Sequence, residues 1–313
     1  MSAVIPPRVA RGATVGIVAP AGPVKLDPLR AGLARLGDAF ELRLARSITE
    51  AREPGTPSYL AASDDVRAAE LMAMLADPDV RAIVLARGGY GLMRILSRLD
   101  PDVLRRDPKP IVGFSDATAL LSWAHAAGVR GIHGPMGVQM SHLPESDIAQ
   151  TIMMLTEARP LGVRPWLLAS TGRGVYRGPL VPANLTLASV LVATPWALPL
   201  RGSIALLEEV GEKPYELDRY LTHLILTGEL AKPSAVILGD LTRCADPNPP
   251  TGDPDPEDTP LMTVLERLHA SGTPVATGAP IGHGARNEPV PFGAAVVLDL
   301  DQRHVEILDP AVA

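Results

Sequence analysis

Residues 110–118, Pro-Ile-Val-Gly-Phe-Ser-Asp-Ala-Thr, join a short apolar run to the first turn of a helical pattern. The apolar run predicts a strand over 110–114 that is buried on both faces, as strands of parallel sheets are. The pattern after Ser115 predicts a helix over 116–127 with no loop before it. A strand that passes directly into a helix is typical of α/β folds.

The same order of strand, turn and helix occurs twice more toward the N-terminus. Apolar runs at 13–19 and 80–86 predict two further buried strands, and each run ends in a turn that contains glycine. A helical pattern over 27–36 follows the first of these strands, and helical segments up to about residue 106 follow the second. Another helical pattern, over 63–75, lies between the two strands. This alternation predicts an N-terminal α/β domain with a mostly parallel sheet.

The pattern weakens after residue 160, where glycine, proline and arginine are scattered. We therefore predict an N-terminal domain over 1–160, a linker over 161–177 and a smaller C-terminal α/β domain over 178–313. The elements predicted in the last of these are helices over 185–192, 215–226 and 260–269 and strands over 204–207, 234–238, 275–277, 294–298 and 305–308.

Composition excludes several classes of function. The 313 residues are 46% apolar and 20% charged, with a net charge of −6, which is typical of a globular protein. Lysine and arginine are scattered, which argues against nucleic acid as a partner. The single cysteine, Cys244, excludes an intrachain disulfide and a multi-cysteine metal site, and it fits a reducing compartment.

Targeting patterns are not evident in the sequence. The N-terminal residues do not have the pattern of a secretory signal, and there is no run of about 18 apolar residues. We therefore expect a cytoplasmic protein without a membrane partner. The acidic, proline-rich stretch 243–258 predicts a mobile surface loop.

Ser115 is the first candidate for catalysis. A serine between a buried strand and a helix is raised above the sheet edge, close to the free N–H groups of the helix's first turn. This position fits a nucleophile. It also fits a helix cap, which is the commoner role of a serine before a helix.

A glycine-rich turn follows the strand over 80–86. Residues 87–91 read Arg-Gly-Gly-Tyr-Gly, and glycines let a backbone approach a ligand closely. In a parallel sheet this turn and Ser115 lie at the same edge. One N–H of the turn and the N–H of Asp116 fit an oxyanion hole. A phosphate-binding loop is the alternative, but its lysine and Ser/Thr are missing.

A nucleophilic serine needs a base and an acid that orients the base. Of the seven histidines, His133 and His283 are flanked by glycine, and spacing does not choose between them. Glu208 directly follows an apolar strand, where a carboxylate is held rigidly enough to orient a histidine. Its alternative role is a solvated strand end.

These motifs together resemble the LD-carboxypeptidases, bacterial serine peptidases of cell-wall recycling that include the microcin C immunity peptidases. The resemblance covers nearly the whole chain. The segments that carry it, in order, are GIVAPAGPV, ARGGYGLMRIL, KPIVGFSDATALL, IHGPM, NLTLASVLVATPW, LLEEVGEKPYELDRYL, AVILGDL and TGAPIGHGARNEPVPFG.

The resemblance implies a role for each candidate. Ser115 becomes the nucleophile, His283 the base and Glu208 the orienting acid, in a cleft between the domains. Backbone N–H groups of the Gly88-Gly89 turn and of Asp116 form the oxyanion hole. The implied fold is a Rossmann-like, glutamine-amidotransferase-like domain followed by a swivelling β/β/α-like domain. His133 then has a structural or substrate-facing role.

The implied substrate is a small peptide that ends in a D-amino acid, the muropeptide tetrapeptide, and the resemblance implies no metal, no cofactor and a homodimer. Arg87 and Arg286 are candidates for binding the terminal carboxylate, since guanidinium suits carboxylate. Asn184 is a further candidate for substrate binding, although Pro182 and Ala183 replace two glycines that the family commonly has before it. The alternatives are a peptidyl-nucleotide hydrolase of the microcin type and a non-catalytic binding protein.

Overall fold

The computed structural model describes residues 3–248 and 257–313, which form two compact units. The first unit contains 1–160, 287–293 and 310–313, and the second contains 161–286 and 294–309. Within the predicted loop 243–258, residues 249–256 lie outside the described residues. Over the described part of the chain, no helix combines the length and the apolar character needed to cross a membrane.

The strands and helices are numbered along the chain. The strands are β1 Thr14–Val18, β2 Glu41–Leu44, β3 Val80–Leu85, β4 Ile111–Gly113, β5 Ile132–His133, β6 Gly162–Arg164, β7 Ala169–Ser170, β8 Val175–Asn184, β9 Ile204–Val210, β10 Ala235–Thr242, β11 Val275–Thr277, β12 Val290–Pro291, β13 Ala295–Asp299 and β14 His304–Ile307. The helices are α1 Leu26–Gly37, α2 Arg46–Thr49, α3 Asp64–Ala76, α4 Pro101–Arg106, α5 Ala117–Ala126, α6 Glu145–Thr156, α7 Leu185–Val190, α8 Pro214–Leu226 and α9 Thr259–Ala270.

The first unit is built on a six-stranded sheet in the order β12-β5-β4-β3-β1-β2. The pairings among β1 to β5 are parallel, and β12 is antiparallel to β5. The central strands β3 and β4 are almost wholly buried, which explains their continuous apolar sequences. The predicted α/β class and mostly parallel sheet are confirmed.

The second unit is built on an eight-stranded sheet in the order β6-β14-β13-β8-β9-β10-β11-β7. Its middle strands, β8 to β11, are parallel, and the strands on both sides are antiparallel. Strand β8 joins these two parts: its first half pairs with β13 and its second half with β9.

The structure corrects two of the predicted boundaries. The predicted linker over 161–177 contributes β6, β7 and the start of β8 to the second sheet. These stretches are short and half-exposed, so no apolar run marks them in the sequence. In addition, 287–293 and 310–313 belong to the first unit, although they fall within the predicted domain 178–313. The predicted strands also left out β12, and helix α6 was not predicted.

Close packing in the first unit depends on a glycine in α1. A Cβ atom at Gly32 would lie 1.9 Å from the carbonyl oxygen of Gly137, so no larger residue fits without a backbone shift. Gly37 ends the same helix, and a Cβ atom there would meet nothing within 4 Å. The two glycines therefore form a matched pair.

We expect Gly32→Ala to lower the free energy of unfolding by about 3 kcal/mol or more, because the backbone contact cannot yield as a side chain can. Gly37→Ala should leave it unchanged or raise it by up to about 1 kcal/mol through helix propensity. Denaturant unfolding of both variants measures the difference. Equal stability of the two variants would contradict the packing described for α1.

Candidate active site

Ser115 lies on a sharp turn between β4 and α5 in the first unit. Its φ is +60°, a conformation that residues other than glycine rarely adopt. A Cβ atom at Gly113 would lie 2.8 Å from the Cβ of Ala117, so the strand and the helix approach more closely than a larger residue at 113 allows. Positive φ at a non-glycine residue is found disproportionately at functional sites.

The structure does not favour a simple capping role for Ser115. Helix α5 begins at Ala117 with Asp116 at its N-cap position, and the Asp116 side chain makes no capping hydrogen bond. The carbonyl of Ser115, rather than its hydroxyl, accepts a hydrogen bond from the N–H of Thr118. Ser115 therefore occupies the turn before the cap and is partly exposed.

The glycine-rich turn after β3 lies against Ser115. A Cβ atom at Gly88 would lie 3.2 Å from Ser115 Oγ, so the backbone passes directly beside the hydroxyl. Gly89 has φ +107°, and the carbonyl of Gly88 accepts a hydrogen bond of 3.1 Å from the N–H of Gly22. Arg87, a candidate for substrate binding, donates to the carbonyl of Pro23 at 2.9 Å.

Asp116 connects the Ser115 turn to the glycine-rich turn. Its side chain is buried, and Oδ2 accepts a hydrogen bond of 2.9 Å from the N–H of Leu92. Burial raises the pKa of Asp116 to about 6, and the Leu92 N–H and the Arg67 guanidinium oppose that rise. The sequence motif indicated a role for the backbone of Asp116 but not for its carboxylate.

Glu208 and His283 form a pair in the second unit. Glu208 Oε2 lies 2.7 Å from His283 Nδ1, and the Glu208 side chain is fully buried while that of His283 is 20% exposed. Burial raises the pKa of the Glu208 carboxyl, and the adjacent imidazole opposes the rise. A buried carboxylate on one ring nitrogen and a partly exposed imidazole are what an oriented general base requires.

Glycines allow the backbone of the second unit to close around this pair. A Cβ atom at Gly282 would lie 3.1 Å from Glu208 Oε2, and one at Gly284 would lie 2.2 Å from Asp240 Oδ2. Asp240 accepts a hydrogen bond of 3.1 Å from the N–H of Gly284, next to His283. Asp240 was not predicted from the sequence, where its only mark is a polar position at the end of the apolar run in β10.

The two candidate histidines, His133 and His283, differ in their burial and in their neighbours. His133 is fully buried in β5, opposite Gly113 in the sheet, and its ring lies edge-on to Phe114 with centroids 5.8 Å apart. His283 is partly exposed and adjoins a carboxylate. These surroundings favour His283 as the base and a structural role for His133.

The remaining substrate-binding candidates lie in the second unit. Asn184 is buried; its Oδ1 caps α7 by accepting from the N–H of Leu187 at 3.2 Å, and its Nδ2 donates to Glu209 at 2.8 Å. Both polar atoms thus have structural partners. Arg286 is half-buried in the loop after His283.

No three His, Cys, Asp or Glu side chains in the described ranges are grouped as metal ligands. The first unit thus contains the Ser115 turn and the glycine-rich turn, and the second contains the Glu208–His283 pair. The predicted site residues thus fall into two groups, and each group lies within one unit. The structure brings together Ser115, Gly88 and Asp116 in one case and Glu208 and His283 in the other.

Comparison with known proteins gives concordant matches over both units. Residues 15–134 match the LD-carboxypeptidase N-terminal domain, and residues 177–298 match the LD-carboxypeptidase C-terminal domain. The murein tetrapeptide carboxypeptidase of Pseudomonas aeruginosa is 32% identical over 91% of this chain and 92% of its own length. A Streptomyces coelicolor protein provisionally named a carboxypeptidase is 37% identical over 98% of this chain and 97% of its own length.

Solved structures show the same fold. The microcin C7 self-immunity protein MccF matches with a TM-score of 0.86 at 22% identity, covering 99% of both chains. The muramoyltetrapeptide carboxypeptidase of Oxalobacter formigenes matches with a TM-score of 0.78 at 25% identity, covering 95% of this chain and 99% of that one.

The raised pKa of Asp116 predicts how stability depends on pH. Because the pKa rises from 3.8 to about 6 on folding, the wild type is most stable below pH 3.8 relative to Asp116→Asn, and it loses that stability as pH rises through 6. The stability advantage of Asp116→Asn should grow by up to about 3 kcal/mol between pH 4 and pH 8. Denaturant unfolding of both proteins across this range measures it. A difference that does not change with pH would contradict a buried, ionisable Asp116.

Proposed function

Since the chain belongs to the LD-carboxypeptidase family, we propose that it is a serine-type LD-carboxypeptidase with a Ser115-His283-Glu208 triad. Its reaction is release of the terminal D-alanine from muropeptide tetrapeptides during peptidoglycan recycling in the cytoplasm. The observation that supports it most is the 2.7 Å pair of a fully buried Glu208 and a partly exposed His283. A relative that is 32% identical and named a murein tetrapeptide carboxypeptidase supports the substrate class.

In the proposed first stage, His283 takes the proton of the Ser115 hydroxyl as the oxygen attacks the peptide carbonyl carbon. Glu208 holds the Nδ1–H of the imidazole and stabilises the imidazolium that forms. The negative charge on the carbonyl oxygen is accepted by N–H groups of the Gly88-Gly89 turn and of Asp116. This stage requires the two units to place Ser115 Oγ within hydrogen-bond reach of His283 Nε2.

The tetrahedral intermediate then breaks its C–N bond. His283 gives its proton to the leaving amine, which departs as D-alanine, and the rest of the peptide stays on Ser115 as an ester. Water attacks the ester carbon as His283 takes its proton, the bond from that carbon to Ser115 Oγ breaks, and Oγ regains the proton from His283, which releases the shortened peptide acid and restores Ser115. Each stage transfers one proton through the same imidazole, which explains why its orientation by a buried carboxylate matters.

Ser115→Ala should lower the rate of D-alanine release by at least about 10³-fold, because the nucleophile is removed while the fold is kept. Ser58→Ala, at an exposed serine in the same unit, is the matched control and should release D-alanine at the wild-type rate. Amino-acid analysis of tetrapeptide digests measures both. Undiminished release by Ser115→Ala would overturn the proposal.

Glu208→Gln should lower kcat by about 10²- to 10⁴-fold, since glutamine keeps the shape of the side chain but not the charge that stabilises an imidazolium. Glu53→Gln, at an exposed loop position, is the control. Steady-state kinetics on the tetrapeptide decide the matter. A kcat for Glu208→Gln within about twofold of the wild type would exclude Glu208 as the orienting acid.

The fold match with the microcin immunity protein supports a second candidate, hydrolysis of a peptidyl nucleotide by the same triad. An aspartyl sulfamoyl adenosine, the ligand of one solved MccF complex, is the substrate that distinguishes the two. Cleavage of this compound without release of D-alanine from the tetrapeptide would favour the second candidate. A serine-directed fluorophosphonate that fails to label Ser115 would favour a non-catalytic binding protein.

A further inference from the structure

The turn over 88–92 has to be rigid if it is to act as an oxyanion hole. Three of its five residues, Gly88, Gly89 and Gly91, are glycines, which are the residues with the most conformational freedom. Donors stabilise a developing charge only when they are fixed in place before the reaction. Contacts from other parts of the first unit must therefore fix this turn.

Hydrogen bonds at both ends hold the turn, and two of them involve buried charged side chains. The carbonyl of Gly88 accepts from the N–H of Gly22 at 3.1 Å. The carbonyl of Gly91 accepts from Arg67 at 3.0 Å, and the N–H of Leu92 donates to Asp116 at 2.9 Å. At the end of the turn, the Arg67 cation therefore binds a backbone carbonyl and the Asp116 anion binds a backbone N–H.

Arg67 is buried and binds several backbone carbonyls around the turn. Its side chain projects from α3, is 1% exposed and also donates to the carbonyls of Ala62, at 3.1 Å, and Pro20. It thereby joins the turn to two neighbouring loops. Gly91 has φ +132°, and a Cβ atom there would lie 2.9 Å from Arg67 Nη1, so glycine is the residue that lets the guanidinium approach.

Asp116 links the turn to the nucleophile. It directly follows Ser115, yet its carboxylate does not cap its own helix and extends instead to the N–H of Leu92. Its side chain is 2% exposed, and burying a carboxylate is costly where a neutral side chain would serve. The same residue thus supplies one proposed oxyanion donor from its backbone and holds the segment that supplies the other.

We infer that Asp116 and Arg67 are positioning residues, which set the distance between the Ser115 turn and the N–H groups of the Gly88-Gly89 turn. The inference rests on the proposed function, because it assigns these side chains to the oxyanion hole of that reaction. Neither side chain has to touch the substrate. Their effect should therefore appear in the chemical step and not in binding of the ground state.

The test compares Asp116→Ala and Asp116→Asn with the wild type. Alanine releases the N–H of Leu92, whereas the Asn side-chain oxygen can still accept it. For Asp116→Ala we expect a fall in kcat of about 10- to 100-fold with KM within about twofold, because a misplaced donor costs less than a deleted one. Asp116→Asn should regain most of the lost kcat.

A second readout separates positioning from a general loss of structure. A peptidyl boronic acid that mimics the tetrahedral intermediate should bind Asp116→Ala more weakly by the same factor as kcat falls. Asp100→Ala removes the cap of α4 elsewhere in the unit and serves as the control; its kcat per active site should match the wild type. Active-site titration with a fluorophosphonate corrects each rate for the folded fraction.

Arg67→Lys provides an independent variant, since lysine keeps the charge but cannot make the same fork of hydrogen bonds. It should lower kcat and boronate affinity in the same direction as Asp116→Ala. Wild-type kcat and boronate affinity in Asp116→Ala, after correction for the folded fraction, would overturn the inference. So would equal losses in Asp116→Ala and Asp116→Asn.

The experiment distinguishes this inference from the proposed function. Labelling of Ser115 by the fluorophosphonate is independent of the peptide, so a wild type that is labelled but releases no D-alanine refutes the substrate only. In that case the labelling rates of the Asp116 variants still decide the inference: slower labelling of Asp116→Ala than of Asp116→Asn supports it, and equal rates overturn it. A wild type that is not labelled overturns both.

Discussion

The proposed site depends on the Glu208 carboxylate, which is fully removed from solvent. Glu208 lies in the buried part of β9, and the imidazole of His283, 2.7 Å away, compensates for its lost hydration. A buried carboxylate is costly unless it is paired, so the pairing constrains everything around it. The glycine at 282 follows from this constraint, because a Cβ atom there would lie 3.1 Å from Glu208 Oε2.

In the first unit, buried charged side chains also hold the loops of the candidate site in place. Its nucleophile candidate sits at φ +60°, and the turn beside it is rich in glycine, so neither is held by regular secondary structure. Buried charges supply the missing restraint: Asp116 and Arg67 each bond to the backbone at the end of the turn. In both units, then, a buried carboxylate in or shortly after a strand contacts a glycine-containing loop.

Much of this could be predicted from the sequence. The strands β1, β3 and β4 are buried on both faces, so their apolar runs identify them, and the glycine-rich turn and Ser115 follow directly after two of them. Local chemistry could not choose between His133 and His283, because both are flanked by glycine. Family resemblance made that choice, and the pairing of His283 with Glu208 supports it.

The features that escaped prediction have physical reasons. Strands β6 and β7 are two or three residues long and half-exposed, and β8 changes partner along its length, so none of them has a single periodicity. The return of 287–293 to the first unit depends on long-range contacts, such as the 2.9 Å bond from the N–H of Asn287 to Asp147. The side-chain role of Asp116 likewise depends on a partner 24 residues away.

The proposed reaction requires the Glu208–His283 pair to activate Ser115 as the nucleophile. A crystal structure of the protein with a peptidyl boronic acid tests it most directly. We expect a covalent bond from boron to Ser115 Oγ, with His283 Nε2 within hydrogen-bond reach of the adduct and a boronate oxygen facing the Gly88-Gly89 turn. An adduct on another residue, or one on Ser115 with His283 out of reach, would contradict it.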